Sequence, residues 1–330
     1  MTHRQRVIAT ITGEQPDRVP ADYYGTPEAT KKYLQQLQLK DEFELIQYLD
    51  TDVIRAVSGP GKIKFSREKE FMKNVSSVSE VRRLSKEIPS VDDLMDNSPI
   101  VAAREKHSDY AIMTYGPGSI FLGANSAFGY ETCLMHHVLR PDLIRELIKC
   151  SIDWAIEVID KLHRDTGDAV DIISLEDDFG TQTSLYISYE MFLEFYKPAF
   201  SEIIRHIKNY GYFVQFHSCG AVSQLIPDFI EMGVDILDPV QVSAKGMDIE
   251  TLAKRFKGKI CFHGGIDTQK LLPYGTPDQV RREVEKIIKI FEGRKIFIAP
   301  SQNFLPDIPV ENLIAMFTAP RTISCDEKPD

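Results

Sequence analysis

Residues 212–222 read YFVQFHSCGAV. The stretch starts as an apolar run of strand length, then sets His217 and Cys219 two positions apart against Gly220. Successive side chains of an extended chain point to opposite sides, so Phe213, Gln215, His217 and Cys219 share one face and Val214 and Phe216 the other. An apolar pair on one face and polar chemistry on the other suits a strand packed against helices outside and facing a functional interior. The strand would then carry His217 and Cys219 at its exit.

The same unit recurs along the chain. Apolar runs end in Gly, Pro, Asp or His at AIMTYGPG (111–118), VDIISLEDDFG (170–180), VDILDPV (234–240), KICFHGGID (259–267) and KIFIAPSQN (295–303). Between them lie helix-period stretches such as MFLEFYKPAFSEIIRHIKNYG (191–211) and TPDQVRREVEKIIKIFEG (276–293). The second opens on Thr276 and Pro277, an N-cap followed by a first helical position, and closes on Gly293. Strands alternating with helices predict βα units and a parallel sheet. No GxGxxG and no GxxxxGK[ST] is present, so the nucleotide fingerprints of open sheets are missing. Polar residues instead close five different runs, the distribution by which a (β/α)8 TIM barrel assembles a site. The expected architecture is one such barrel domain over residues 1–330, with a polar rim insertion at about 58–100 and a frayed tail at 321–330.

Composition narrows the function. A 330-residue chain with 43% hydrophobic and 27% charged residues has the make-up of a globular enzyme. Its net charge of -10 argues against nucleic acid or an anionic membrane as partner, since both need a basic footprint. No apolar run approaches the ~20 residues of a membrane span, and the first residues lack a signal-peptide core, so a cytoplasmic location is expected. Five scattered cysteines fit reduced thiols rather than a disulfide framework.

The candidate site residues follow from the same alternation. His217 and Cys219 at i and i+2 can reach one ion at about 2.0–2.3 Å, although a hydrogen-bonded His beside a small buried Cys is the plainer reading. In 170–178, Ile172, Ser174, Glu176 and Asp178 point inward, and three consecutive acids at a strand end need a cation, donors or solvent. His263 points to the same mouth, while Asp267 reads as a helix N-cap. Tyr115 and Gln302 complete the ring. Cys133, Cys150 and His136–His137 fall on helical segments as packing or surface residues.

These residues carry a resemblance. RQRVIATITGEQPDRVP, HSCGAV, GGIDTQKLLPYGTPDQV and IAPSQNFLPDIPVENLIAMF together resemble the uroporphyrinogen decarboxylase-like superfamily over almost the whole chain. That superfamily implies a (β/α)8 barrel and includes both the decarboxylase and corrinoid-dependent methyltransferases. The decarboxylase's Arg-rich substrate motif matches ADYYGTPEATKK here, which has no Arg; its catalytic Asp falls at Gly59 and its His at Gln302. The zinc methyltransferases use an HxC pair plus a distant Cys; His217 and Cys219 match the pair, and the distant Cys also falls at Gln302. An inward acid, Glu176 or Asp178, is then the candidate third ligand.

The resemblance implies a methyltransferase moving a methyl group between a small ether, amine or thiol substrate and a corrinoid on a partner protein, with zinc on His217, Cys219 and Glu176 as Lewis acid. Glu176, Asp178, His263, Gln302 and Tyr115 are the expected catalytic residues. A decarboxylase using the acids and His263 for proton transfer, and a barrel that binds without catalysis, are the alternatives.

Overall fold

The computed structural model describes residues 1–322. Seven parallel strands form one curled sheet: β1 (Val53–Arg55), β2 (Ala111–Tyr115), β3 (Ile172–Glu176), β4 (Phe213–His217), β5 (Ile236–Val240), β6 (Cys261–Ile266) and β7 (Ile296–Pro300). They pair in sequence order, and at least one helix lies between every consecutive two, as parallel βα crossovers require. The curled parallel sheet agrees with the barrel expectation as far as these seven strands. The eighth position is approached by residues 20–22. Ile298 N donates to Pro20 O at 2.9 Å, Asp22 N to Ile298 O at 3.1 Å and Asp52 N to Ala21 O at 2.8 Å, so this segment touches both β7 and the start of β1.

Two apolar layers follow from the alternation. Val53, Ala111, Met113, Ile172, Ile236, Cys261 and Phe297 form an interior cluster, with Phe213 against it. Val7 and Ile11 of the helix His3–Thr12 join that cluster and seal the N-terminal end of the sheet. On the other face, Phe216 is fully buried, edge-on to Phe200 at 4.9 Å and stacked on Phe229 at 4.7 Å. Phe262 likewise meets Phe291 of the helix Pro277–Phe291 at 5.6 Å. That helix is capped by Thr276, whose side chain accepts from Gln279 N while Gln279 reaches back to the cap. The interior is therefore apolar at one end of the strands and free for chemistry at the other.

Charge also fastens the sealed end. Asp52 is fully buried and accepts from Arg6 Nη1 at 2.7 Å, Arg18 Nη1 at 2.8 Å and Ala21 N at 2.8 Å, with His3 Nδ1 at 2.8 Å. Residues 191–209 depart from a plain helix: a π turn occupies Phe192–Tyr196 just before Pro198. Proline lacks the N–H that would bond four residues back, and widening the preceding turn accommodates that loss. Between β1 and β2, residues Gly59–Pro60 pair antiparallel with Met95–Asp96, and the helix Val78–Ser85 packs on the helix Pro141–Thr166. At the C-terminus Arg321 and Thr322 belong to the helix Val310–Thr322, and the remainder of the expected tail, Cys325 included, lies outside the described residues.

Candidate metal centre

Sheet register builds the site. Glu176 pairs with His217 and His217 with Asp238, which sets three polar side chains in a row across β3, β4 and β5. Beyond the row the loops after β3 and β4 cross at very short range. A Cβ on Gly220 would lie 2.4 Å from the Gly180 carbonyl, and Gly220 has φ +87°, so only glycine fits there. The crossing is tied by Cys219 N donating to Asp178 Oδ1 at 2.8 Å and Gly220 N to Gln241 Oε1 at 2.8 Å.

This folds Asp178 back towards the strand end. One donor atom each from Asp178, His217 and Cys219 lies within 4.8 Å of the others. Cys219 Sγ is 3.3 Å from His217 Nε2, and His217 Nε2 is 3.8 Å from Asp178 Oδ1. Tetrahedral zinc, with bonds of about 2.3 Å to sulfur and about 2.0 Å to nitrogen, holds those two donors about 3.5 Å apart. The set therefore fits a three-residue site with an open position. Gln302 is exposed, and its Nε2 donates to Cys219 Sγ at 3.1 Å.

A buried chain of alternating charge supports the donors from below. His217 Nδ1 is 2.6 Å from Asp238 Oδ2, and Asp238 Oδ1 is 2.5 Å from His263 Nδ1. His263 Nε2 is 2.9 Å from Asp22 Oδ2, and Asp22 is ion-paired with Arg55. Asp238 thus accepts at His217 Nδ1, which leaves Nε2 turned to Cys219, the arrangement seen for metal-ligating histidines. Burial works against charge on His217, but Asp238 and the Cys219 contact outweigh it and hold the imidazole pKa well above its usual value. His263 is pushed up to about 9, burial being overcome by Asp238 and Asp22. Asp238 is held far below the carboxylate range, its burial outweighed by the two histidines. Glu176 is raised, chiefly by burial, with His217 opposing.

Of the residues expected from sequence, the fold brings His217, Cys219, Asp178 and Gln302 together. Glu176 stands beside His217 in the row but is not one of the three clustered donors. His263 is buried beneath the site and reaches His217 through Asp238. Tyr115 ends β2 half-buried, against Tyr24 and Arg55. Asp267 is not the N-cap expected, since Lys270 holds that position before the helix Leu271–Tyr274; it accepts from Gln269 N at 2.9 Å and Lys270 N at 3.2 Å in the turn leading there. Asp177, the middle acid of the three, accepts from the backbone N–H groups of Ile120, Phe121 and Leu122 at 2.6–2.9 Å, and burial still lifts it to about 7. Asp22, Arg55, Asp238 and Gln241 were not singled out. A lone Asp of inward parity inside VDILDPV was the available signal for Asp238.

A curled parallel α/β sheet with polar donors at its C-terminal edge defines the class. The uroporphyrinogen decarboxylase (URO-D) family model matches residues 70–323, and the chain belongs to that family. No curated protein matches it. Among solved structures it is similar to a methyltransferase from Methanosarcina mazei, with TM-score 0.71 at 15% identity over 97% of this chain and 98% of that one. Looser likenesses include a beta-glucosidase from Pyrococcus furiosus (TM-score 0.46, 12% identity, 97% and 89% covered) and an L-ribulose 3-epimerase (TM-score 0.42, 12% identity, 91% and 86% covered). No described helix is long and apolar enough to cross a membrane.

Proposed function

We propose that the chain is a methyltransferase that moves a methyl group between a small ether, amine or thiol substrate and a corrinoid held by a partner protein. The observation that carries this reading is the Asp178–His217–Cys219 cluster, with His217 Nε2 presented to Cys219 and Nδ1 engaged by Asp238. His217 Nε2, Cys219 Sγ and an Asp178 oxygen would hold zinc. Bound there, zinc supplies Lewis acidity that lowers a thiol's pKa or polarises an ether oxygen. The fold shared with the methyltransferase from Methanosarcina mazei is compatible with this reading.

The protein's own residues have definite tasks. Asp238 accepts from His217 Nδ1–H and so fixes the tautomer and the ring plane. The Gln302 amide donates to Cys219 Sγ at 3.1 Å and so helps to fix where the sulfur points. Glu176, raised by burial, stands ready to take or give a proton beside the open position. In this reading residues 1–330 are one (β/α)8 barrel domain of the cytoplasm, with residues 20–22 in the eighth strand position and the 58–100 segment over the rim. Metal analysis of protein expressed with zinc, followed by demethylation of methylcobalamin in the presence of thiols, tests it. Zinc-free protein refutes the zinc mechanism, and release of carbon dioxide from uroporphyrinogen refutes methyl transfer in favour of a lyase.

A further inference from the structure

We propose that the chain carries a second small-molecule site, for an organic monocarboxylate with an apolar body, between the 58–100 segment and the helix Pro141–Thr166. A cavity of ≈ 580 Å³ lies there, lined on its apolar side by Phe71, Ile88 and Trp154. Ligand pockets run from about 300 to 1,000 Å³, so the volume admits a substituted aromatic ring. None of the clustered donors, Asp178, His217 or Cys219, lines it.

Charge and unmet hydrogen bonding select the ligand. In a chain of net charge -10, this wall carries Arg67, Arg82, Lys86 and Lys149 against three acids. Arg82 is paired with Glu146 at 2.8 Å, which leaves three cations facing two exposed acids, an excess of one positive charge. The Arg67 guanidinium is fixed: Nη2 donates to Leu84 O, and the group lies 4.3 Å over the Phe71 ring. Among the described residues its Nη1 is buried with no partner. Ser85, another residue of the cavity wall, has a buried Oγ that meets the Cys150 thiol. A buried guanidinium N–H left without an acceptor calls for an oxyanion, and one surplus charge calls for a monoanion.

Trp154 is the chain's single tryptophan, so its fluorescence reads this cavity directly. The probes are para-tert-butylbenzoate, its neutral amide and inorganic phosphate. The carboxylate is expected to give saturable quenching, persisting in Cys219→Ser so that binding at the candidate metal site is not mistaken for it. The amide, and the carboxylate on Arg67→Met, should bind about tenfold or more weakly. Alkylation of Cys150 by N-ethylmaleimide, read by peptide mass spectrometry, should slow when the carboxylate is bound. If Arg67→Met does not fold, the amide comparison and Cys150 protection on the unaltered chain decide. Equal binding of acid and amide, tighter binding of phosphate, unprotected Cys150 or no saturation overturns the proposal.

Discussion

Asp238 is the residue whose replacement separates a supported metal centre from a coincidental cluster. Its two oxygens reach two histidines, Oδ2 to His217 Nδ1 at 2.6 Å and Oδ1 to His263 Nδ1 at 2.5 Å. Asp238→Asn keeps the shape and one acceptor. If the amide oxygen stays on His217, the amide N–H faces His263 Nδ1. His263 can then carry its proton on Nε2, which already lies 2.9 Å from Asp22 Oδ2. The amide therefore loses charge but little geometry, whereas Asp238→Ala loses both contacts. Removing such a supporting partner weakens metal binding about 10- to 100-fold, or about 1.4–2.7 kcal/mol. The asparagine variant belongs at the low end of that range and the alanine variant at the high end. Zinc Kd is measured by competition against a chromophoric chelator, with circular dichroism to verify folding. Unchanged affinity in both folded variants would refute the claim that Asp238 orients His217 for a metal.

Gly220→Ala should cost more than about 1 kcal/mol in urea unfolding and also lower zinc affinity, because a Cβ at φ +87° meets Gly180 backbone at 2.4 Å and displaces Cys219. A folded, full-affinity variant would show the loop crossing to be dispensable. Asp52→Asn should cost about 1–3 kcal/mol at neutral pH, since the buried acceptor shared by Arg6 and Arg18 loses its charge, while Arg6 keeps Asp17 and Arg18 keeps Asp50. The Asp52 pKa is lowered on folding, as His3, Arg18 and Arg6 outweigh burial. Its stabilisation is therefore full above the unfolded carboxylate pKa of about 3.9 and fades as pH falls through the lower folded value. Urea midpoints of the two proteins should converge towards acid pH, and a pH-independent gap would rule this out. Gln302→Leu should weaken zinc about three- to tenfold by removing the N–H···S bond to Cys219, with stability unchanged because the side chain is exposed. Equal affinity would place Gln302 outside the functional cluster.

Strand parity was the legible part of the sequence. Phe213, Ile172 and Cys261 face the interior cluster while Val214, Phe216 and Phe262 face the outer helices, because a period of two allows no other assignment once one side is apolar. Which acid joins His217 and Cys219 was not legible. Asp178 rather than Glu176 clusters with them because the loop past β3 turns back to meet Cys219 N, a contact between residues 41 positions apart. His263 has the expected parity, yet it works from beneath, since Asp22 and Asp238 supply two carboxylates from distant segments. The strand before β1 is reduced to a bridge at Ala21, and Pro20 has no N–H with which to extend the pairing.

The charge arrangement bears on which family chemistry this mouth suits. A substrate with many carboxylates needs guanidinium groups free to bind it. The cation that the fold sets at the end of β1, Arg55, is largely buried, paired with Asp22 and stacked over Tyr24 at 4.2 Å. Turning it to a substrate would break the buried Asp22–Arg55 pair and leave the carboxylate with His263 as its remaining partner. Glu176 and Asp178 at the neighbouring strand ends would repel the same substrate. A neutral or cationic methyl donor meets neither obstacle, and can approach the half-buried Cys219 past the exposed Gln302. The electrostatics thus favour the methyl-transfer reading independently of the metal donors.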